Sequence, residues 1–347
     1  MLGEAQDMSL PVLVEYVRGD LTESRHHGSI AIAHADGGML FEVGATEAPV
    51  YPRSSVKLLQ AMPLVESGGA DRFEFSDYEL ALCCASHSGE PRHVETARGI
   101  LKRIGLGADN LACGVQWPSG EEDIAAMGKA GETPTRAHNN CSGKHSGMLA
   151  FAMHAGFDPV GYEHRDHPVQ KAIQEVMTDV FGIDMADAPC GLDGCSLPTL
   201  AVPLKNLARG FARLTGDGGI AVERRAAADR LMKTCMREPH AVGGTGKFDT
   251  EVMRAFGGRV FLKYGAEAVQ VIVFPKLKIA AAVKIGDGAV RATEVVAAAI
   301  ISRFAVETAE DHEFMEQRER PAVLSRTGAV AGHLQPVAPL TQALRGI

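Results

Sequence analysis

A serine and a lysine three positions apart lie where a proline-containing loop becomes a predicted helix. In the segment SSVK, Ser54 and Lys57 have the i, i+3 spacing that puts hydroxyl and amine on one face of a helical turn. A serine hydroxyl attacks well only when a base takes its proton, and a buried lysine with a lowered pKa can be that base. The pattern therefore indicates Ser-Lys hydrolase chemistry, but S-x-x-K is also typical of a serine N-cap followed by a surface lysine.

A second serine follows an apolar helical segment in the motif ASHSGE, residues 85–90. Ser86 of this motif could face Ser54 across a cleft and either share the nucleophilic role or hold the substrate. Small polar residues and glycine at a helix junction are also ordinary loop residues. The motif therefore leaves catalytic and structural interpretations open.

Two cysteines lie in glycine-rich segments, HNNCSGKHSG at residues 138–147 and GLDGCS at residues 191–196. With histidines and an aspartate nearby, Cys141 and Cys195 have the composition of a metal site, although their spacing matches no common zinc finger. Redox chemistry and two buried structural thiols are the alternatives. Four other cysteines lie in apolar runs and are predicted to be core residues: Cys83, Cys84, Cys113 and Cys235.

The elements that must position these residues alternate between strand and helix character along the chain. Strands are predicted first, joined in part by the turn Asp36-Gly37-Gly38: Val12–Arg18, Ser29–Ala35 and Met39–Gly44. Helical spacing then begins at Ser55, with a capping box at Ser76 and Glu79. Further helices are predicted at 90–104, 142–155, 168–181, 198–214, 222–236 and 291–304.

The chain returns to strand character after Gly257, at residues 259–265, 268–274 and 278–286. The tail after Pro321 is predicted to be an extended surface segment. Strands that bracket a helical middle predict an α+β fold in which the N-terminal hairpin and the C-terminal strands form one antiparallel sheet. We expect one domain over residues 1–347, with a helical lobe at about 55–256 and a sheet from about 10–45 and 258–290.

Composition excludes several classes of protein. The chain has 347 residues, 46% of them hydrophobic, which is enough to bury a sizeable core. Its net charge of −8, with no basic stretch, argues against a nucleic-acid partner. The lack of a long apolar run and the acidic N-terminus predict a cytoplasmic protein without a membrane segment.

Five motifs in order, SSVK, ASHSGE, HNNCSGKHSGML, GLDGCS and RVFLKYGAE, resemble the L-asparaginase II family of the Rhizobium etli type. These enzymes are unrelated to the threonine-dependent bacterial asparaginases. The resemblance implies a fold similar to serine-dependent glutaminases and serine β-lactamases. It also implies a homodimer that hydrolyses L-asparagine to L-aspartate and ammonia.

The resemblance further implies two catalytic Ser-Lys pairs, Ser54 with Lys57 and Ser86 with Lys263. On this basis Ser54 is expected to attack the side-chain amide after Lys57 removes its proton. Ser86 and Lys263 are then expected to move the leaving-group proton or assist the deacylating water. Which serine is the nucleophile stays open at this point.

A zinc ion is implied beside these serines, with Cys141, Lys144 and Cys195 as ligands and a water completing the tetrahedron. Lysine binds a metal only as the neutral amine, so Lys144 would have to lose its proton. The residues predicted to bind substrate are Asp193, His138 and Asn140.

Two further interpretations compete with an asparaginase. A glutaminase or another serine amidohydrolase could use the same scaffold, because one methylene changes pocket affinity by only about 1–3 kcal/mol. The second alternative is not an enzyme: it is a zinc-dependent binding protein that keeps the fold without converting a substrate. The presence of both serines and both lysines argues against that second alternative.

Overall fold

A computed structural model describes residues 10–347, with strands toward both ends of the chain and mostly helices between them. The strands are β1 Val12–Arg18, β2 Leu21–His34, β3 Met39–Val43, β4 Pro49–Val50, β5 Cys190–Leu192, β6 Pro198–Leu200, β7 Val202–Pro203, β8 Phe261–Gly265, β9 Val269–Phe274, β10 Ile279–Ile285, β11 Ala322–Leu324 and β12 Val330–Pro336. The helices are α1 Lys57–Glu66, α2 Gly69–Arg72, α3 Asp77–Cys83, α4 Pro91–Arg103, α5 Glu121–Ala130, α6 Ser142–Ala155, α7 Pro168–Phe181, α8 Leu204–Arg213, α9 Val222–Arg237, α10 Pro239–Gly243, α11 Phe248–Phe256, α12 Val290–Phe304, α13 Ala309–Glu319 and α14 Ala338–Arg345.

The chain divides into two compact units. The described residues of the first unit are 10–50, 202–218 and 264–347, and those of the second are 51–201 and 219–263. The expectation of a single domain stays a prediction. Among residues 10–347, no helix combines the length and the apolar character needed to cross a membrane.

An eight-stranded sheet dominates the first unit, in the order β11-β12-β1-β2-β10-β9-β8, with β3 also paired to β2. Strand β2 runs antiparallel to β10, with Ile30 opposite Val283. The N-terminal hairpin therefore joins the C-terminal strands, as the sequence predicts, and the α+β class is confirmed. Residues 280–283 of β10 are all fully buried. Consecutive buried residues in a strand mean that both faces of the sheet are covered there.

Two regions differ from the sequence predictions. The helix expected at 198–214 begins only at Leu204, because Pro198 and Pro203 lie in short strands that precede it and proline disfavours a helix interior. The tail after Pro321 is not an extended surface segment. It adds β11 and β12 to the sheet, where Tyr16 of β1 pairs with Leu334, and it ends in α14.

Helices form most of the second unit, and α6 lies at its centre. Every residue from Ser142 to Ala152 is buried, which is typical of a helix surrounded by other elements on all sides. Two glycines allow this close packing: a Cβ at Gly143 would lie 2.3 Å from the Leu82 carbonyl oxygen, and one at Gly147 would lie 2.7 Å from Cys83 Sγ. Helix α3 therefore packs directly on the turn of α6 that carries polar side chains.

Candidate active site

The hydroxyl of Ser86 lies between two buried lysine amines, all within the second unit. Its Oγ is 3.0 Å from Lys57 Nζ and 3.1 Å from Lys263 Nζ. Lys57 is the first residue of α1 and Lys263 lies in β8, and the two are 0% and 1% exposed. A hydroxyl has one proton to donate, so the favoured arrangement has one neutral lysine that accepts it and one lysine that donates to the oxygen.

Burial favours the neutral form of both lysines. Burial lowers the pKa of Lys263 to about 8; the carboxylate of Asp249 opposes that shift, and the charge of Lys57 adds to it. Burial also lowers the pKa of Lys57, an effect that the Cys141 thiol opposes and the Lys144 charge strengthens. Lys263, whose pKa is brought to about 8, is therefore suited to act as a base near neutral pH.

Backbone hydrogen bonds fix the loop that carries Ser86 after α3. The Ser86 N–H donates to the Val242 carbonyl at 2.9 Å, and the His87 N–H donates to the Asn140 carbonyl at 3.1 Å. These bonds tie the loop both to the end of α10 and to the segment before α6. The serine is thus held by its backbone as well as by the two lysines.

The imidazole of His87 is fully buried and neutral in this arrangement. The Gly89 N–H donates to Nδ1 at 3.1 Å, so Nε2 carries the proton. That proton goes to Ser142 Oγ at 2.9 Å, since the Ser142 hydroxyl donates to the Ala137 carbonyl. Burial holds the pKa of His87 well below its ordinary value. His87 therefore connects the Ser86 loop to the start of α6.

The carboxylate of Glu90 ends the same loop and accepts four hydrogen bonds. Its donors are Ser88 Oγ at 2.5 Å, His240 Nε2 at 2.8 Å, and the N–H and hydroxyl of Thr245 at 2.8 and 3.0 Å. Although burial opposes it, these bonds lower the pKa of Glu90 to about 2. Gly244 is required beside them, because its φ is +100° and a Cβ would lie 1.9 Å from Ser88 Oγ.

Ser54 has a different environment from the one that the S-x-x-K spacing suggests. It lies in a 3-10 turn, Arg53–Val56, before α1. The amine of Lys57 points to the Ala85 carbonyl, Ser86 Oγ and Cys141 Sγ instead. Within residues 10–347 the half-buried Ser54 hydroxyl forms no hydrogen bond. The structure thus pairs Lys57 with the second serine rather than with the first.

Arg53, which belongs to none of the sequence motifs, pairs with a predicted substrate residue, Asp193. Its Nε lies 2.9 Å from Asp193 Oδ2, and the two side chains are 22% and 16% exposed. Burial raises the pKa of Asp193, but the Arg53 hydrogen bond and the Lys144 charge lower it overall. Arg53 has φ +52°, a conformation unfavourable for a residue with a Cβ. Neither the ion pair nor this backbone conformation could be read from the sequence.

The three predicted metal ligands meet in one buried cluster. Lys144 Nζ lies 3.0 Å from Cys195 Sγ, and the thiols of Cys141 and Cys195 are hydrogen-bonded to each other. The Cys195 hydrogen bond holds the pKa of Cys141 well below its ordinary value; burial opposes this shift, and nearby Lys57 and Lys144 favour it. Burial lowers the pKa of Lys144, but the thiols outweigh this and raise it overall. Two sulfurs and an amine form a soft donor set that suits zinc.

A metal at this cluster would depend on Lys144. Within residues 10–347, no three His, Cys, Asp or Glu side chains lie together in a metal-binding arrangement. All seven cysteines are free thiols, so no disulfide competes for Cys141 or Cys195. The four cysteines that were predicted to be core residues are all buried. The seventh cysteine, Cys190, is exposed.

The other two predicted substrate residues have structural partners. His138 Nδ1 accepts a hydrogen bond from the Thr135 N–H at 3.0 Å, and the residue lines a separate cavity. The Asn140 N–H donates to Gln116 Oε1 at 3.2 Å. Their role in substrate binding stays a prediction.

Comparison with known proteins identifies the family. Two solved structures are similar at low identity. A Bacteroides dorei protein described as a beta-lactamase is 15% identical over 75% of this chain and 87% of its own, with a TM-score of 0.42. A beta-lactamase from Mycobacterium bovis is 15% identical over 80% and 95%, with a TM-score of 0.41. No curated protein matches the chain. The sequence profile of L-asparaginase II matches residues 14–336, nearly the whole chain, and the protein therefore belongs to the L-asparaginase II family.

Proposed function

We propose that this protein is an L-asparaginase that hydrolyses L-asparagine to L-aspartate and ammonia through a Ser-Lys mechanism. The observation that supports the mechanism most is the position of Ser86 Oγ, 3.0 and 3.1 Å from two buried lysine amines. A nucleophile in contact with a base of lowered pKa is the arrangement that acyl transfer requires. The family supports an asparaginase-type amidohydrolase.

In the proposed reaction, neutral Lys263 takes the Ser86 proton as Oγ bonds to the side-chain amide carbon of the substrate. The C–N bond then breaks, and Lys263 returns the proton to the departing ammonia. Water attacks the aspartyl ester with Lys263 again as base, which releases L-aspartate and restores Ser86. Lys57 donates to Ser86 Oγ as an ammonium and stabilises the alkoxide as it forms.

This proposal differs from the expected roles of the two serines, because Ser86 rather than Ser54 is the nucleophile. Ser54 was expected to attack with Lys57 as base, yet the Lys57 amine contacts Ser86. We assign Ser54 to substrate binding, since its hydroxyl has no partner within residues 10–347. The neighbouring Arg53 and Asp193 are paired at 2.9 Å. They offer a cation for the α-carboxylate of the substrate and an anion for its α-ammonium group.

We also propose that Cys141, Lys144 and Cys195 hold a zinc ion. Their convergence, with 3.0 Å between Lys144 Nζ and Cys195 Sγ, supports this donor set. When bound, zinc supplies a Lewis-acidic centre, weakened by two thiolates, that orients groups around it. Lys144 would give up its proton to the solvent on binding.

Ammonia release from L-asparagine and L-glutamine by the purified protein tests the activity. We expect release from L-asparagine to exceed release from L-glutamine. Faster release from L-glutamine would indicate a glutaminase instead. No ammonia from either amide, with substrate still bound, would indicate a zinc-dependent binding protein. A parallel assay after chelation shows whether the metal is needed.

The family resemblance also implies a homodimer, and the composition implies a cytoplasmic location. Both stay predictions. Sedimentation of the purified protein tests the first: a mass of twice 36.8 kDa is expected.

A further inference from the structure

A separate cavity of about 410 Å³ lies between helices α4 and α5 in the second unit. Its size is in the range of small-molecule sites. Gly89 and His138 are part of its wall. The first belongs to the loop of Ser86 and the second precedes Cys141 by three residues. Neither the two serines nor the two lysines of the proposed active site, Ser54, Ser86, Lys57 and Lys263, line this cavity.

Charges of both signs face this cavity without neutralising each other. Arg98 donates only to Thr135 Oγ1, at 3.3 Å. Asp123 and Glu132 also line the cavity, and within residues 10–347 neither forms an ion pair with Arg98 or with another cation. A helix N-terminus accounts for an acidic residue at Asp123 but does not supply a cationic partner. The cavity therefore offers unpaired groups for a ligand that carries both charges.

A buried donor provides a second, independent indication of a ligand. His138 lines the cavity and is 9% exposed, and its imidazole interacts electrostatically with Arg98 and Glu132 of the same wall. Because the Thr135 N–H donates to Nδ1, the proton of the neutral ring is on Nε2. Within the described residues that Nε2 has no hydrogen-bond partner. Together with Arg98 it forms a pair of donors suited to a carboxylate.

Apart from the carboxylate of Glu95, the rest of the wall is apolar. Val94 and Met127 line the cavity and are 4% and 8% exposed. Such a wall favours a hydrocarbon side chain, and Met adapts to ligands of different shape. An acidic or amide side chain would find no dedicated partner on these two residues.

We propose that this cavity binds an aliphatic α-amino acid as a zwitterion, with its carboxylate on Arg98 and His138 and its ammonium on Asp123 and Glu132. The ligand's side chain lies against Val94 and Met127. This site is distinct from the proposed site of amide hydrolysis. Its occupant would touch the loops that carry both Ser86 and Cys141.

The single tryptophan of the chain reports on this cavity. Trp117 is 46% exposed and precedes Pro118, which lines the cavity. Titration of the full-length protein with L-leucine, followed by Trp117 fluorescence and by calorimetry, should give saturable binding. L-Leucine has no side-chain amide, so the result does not depend on whether the protein is an asparaginase.

Two ligands of matched shape test the charge requirement. 3-Methylbutylamine lacks the carboxylate, and 4-methylpentanoate lacks the ammonium group. We expect each to bind at least tenfold more weakly than L-leucine. Equal binding of either one, or no calorimetric binding of L-leucine, would overturn the proposal.

A pair of variants on helix α4 locates the site. Arg98→Gln should weaken L-leucine binding at least tenfold, because it removes the cation for the carboxylate. Lys102→Gln changes an exposed charge on the same helix outside the cavity and should bind as the wild type does. Wild-type affinity in Arg98→Gln would overturn the assignment of the ligand to this cavity.

Discussion

Lys57 Nζ lies 3.2 Å from Cys141 Sγ, so one amine contacts both the proposed nucleophile Ser86 and a predicted zinc ligand. The same nitrogen is 3.0 Å from Ser86 Oγ. Motifs separated by more than eighty residues in the chain therefore form one polar cluster. A change at Lys57 should affect catalysis and metal affinity together.

Lys57→Met tests this shared role. Methionine keeps most of the volume but removes a donor to Ser86 and Cys141, so we expect kcat to fall about 1,000-fold, or about 4 kcal/mol of barrier. Circular dichroism should show a folded protein. The control Lys129→Met removes an exposed amine on α5 and should leave kcat unchanged. More than a tenth of wild-type activity in Lys57→Met would exclude the proposed role.

The pH dependence of kcat/KM should follow Lys263. Burial lowers the pKa of this lysine from 10.5 to about 8, so the neutral base becomes more abundant as pH rises. We expect kcat/KM to increase about tenfold per unit below pH 8 and to level off above it. A profile that stays flat between pH 6 and 9 would show that Lys263 is not the base.

Removing either thiol should remove zinc. Elemental analysis should find about one zinc per wild-type chain, and much less in Cys141→Ser and Cys195→Ser, because zinc prefers thiolate ligands. Occupancy should also fall as pH is lowered, since all three ligands bind deprotonated. Cys190→Ser is the matched control, because Cys190 is an exposed free thiol. Equal zinc in all four proteins would show that these cysteines are not ligands.

Glu90→Gln should destabilise the Ser86 loop. The amide cannot accept all four hydrogen bonds, so we expect the free energy of unfolding to fall by about 1–3 kcal/mol. The pKa of Glu90 is lowered to about 2. Its ionised form therefore contributes stability above its ordinary pKa of 4.5, and the contribution is lost as pH falls toward 2.

Denaturant unfolding of Glu90→Gln and Glu95→Gln at pH 7 checks this role. Glu95 is exposed on the same helix, and its substitution should have little effect. Equal stability of the two variants would mean that the Glu90 hydrogen bonds contribute nothing measurable.

Local patterns predicted the elements well where the sequence itself contains the cause. Strand β1 has the predicted bounds, and the capping box at Ser76 and Glu79 forms as expected. Short-range spacing could not predict that the tail after Pro321 adds strands, because that pairing joins residues more than 300 positions apart. The hydrogen bonds that join β12 to the main part of the sheet are made with β1, and the sequence around β12 gives no information about that partner.

The candidate site shows the same limit. Its motifs could be recognised in the sequence, but the direction of the Lys57 side chain could not. The i, i+3 spacing suggested Ser54 as the partner, whereas the 3-10 turn before α1 and the loop at Ala85 bring the amine to Ser86. The Arg53–Asp193 pair spans 140 positions and likewise required the fold.

Mass spectrometry of protein quenched in acid during turnover of L-asparagine tests whether Ser86 is the nucleophile. We expect an aspartyl ester on the peptide that contains Ser86, and no such ester in Ser86→Ala. Ser54→Ala should still form the ester on Ser86, with a raised KM. An ester on Ser54 in the wild type, or ammonia release without any ester on Ser86, would show that Ser86 is not the nucleophile.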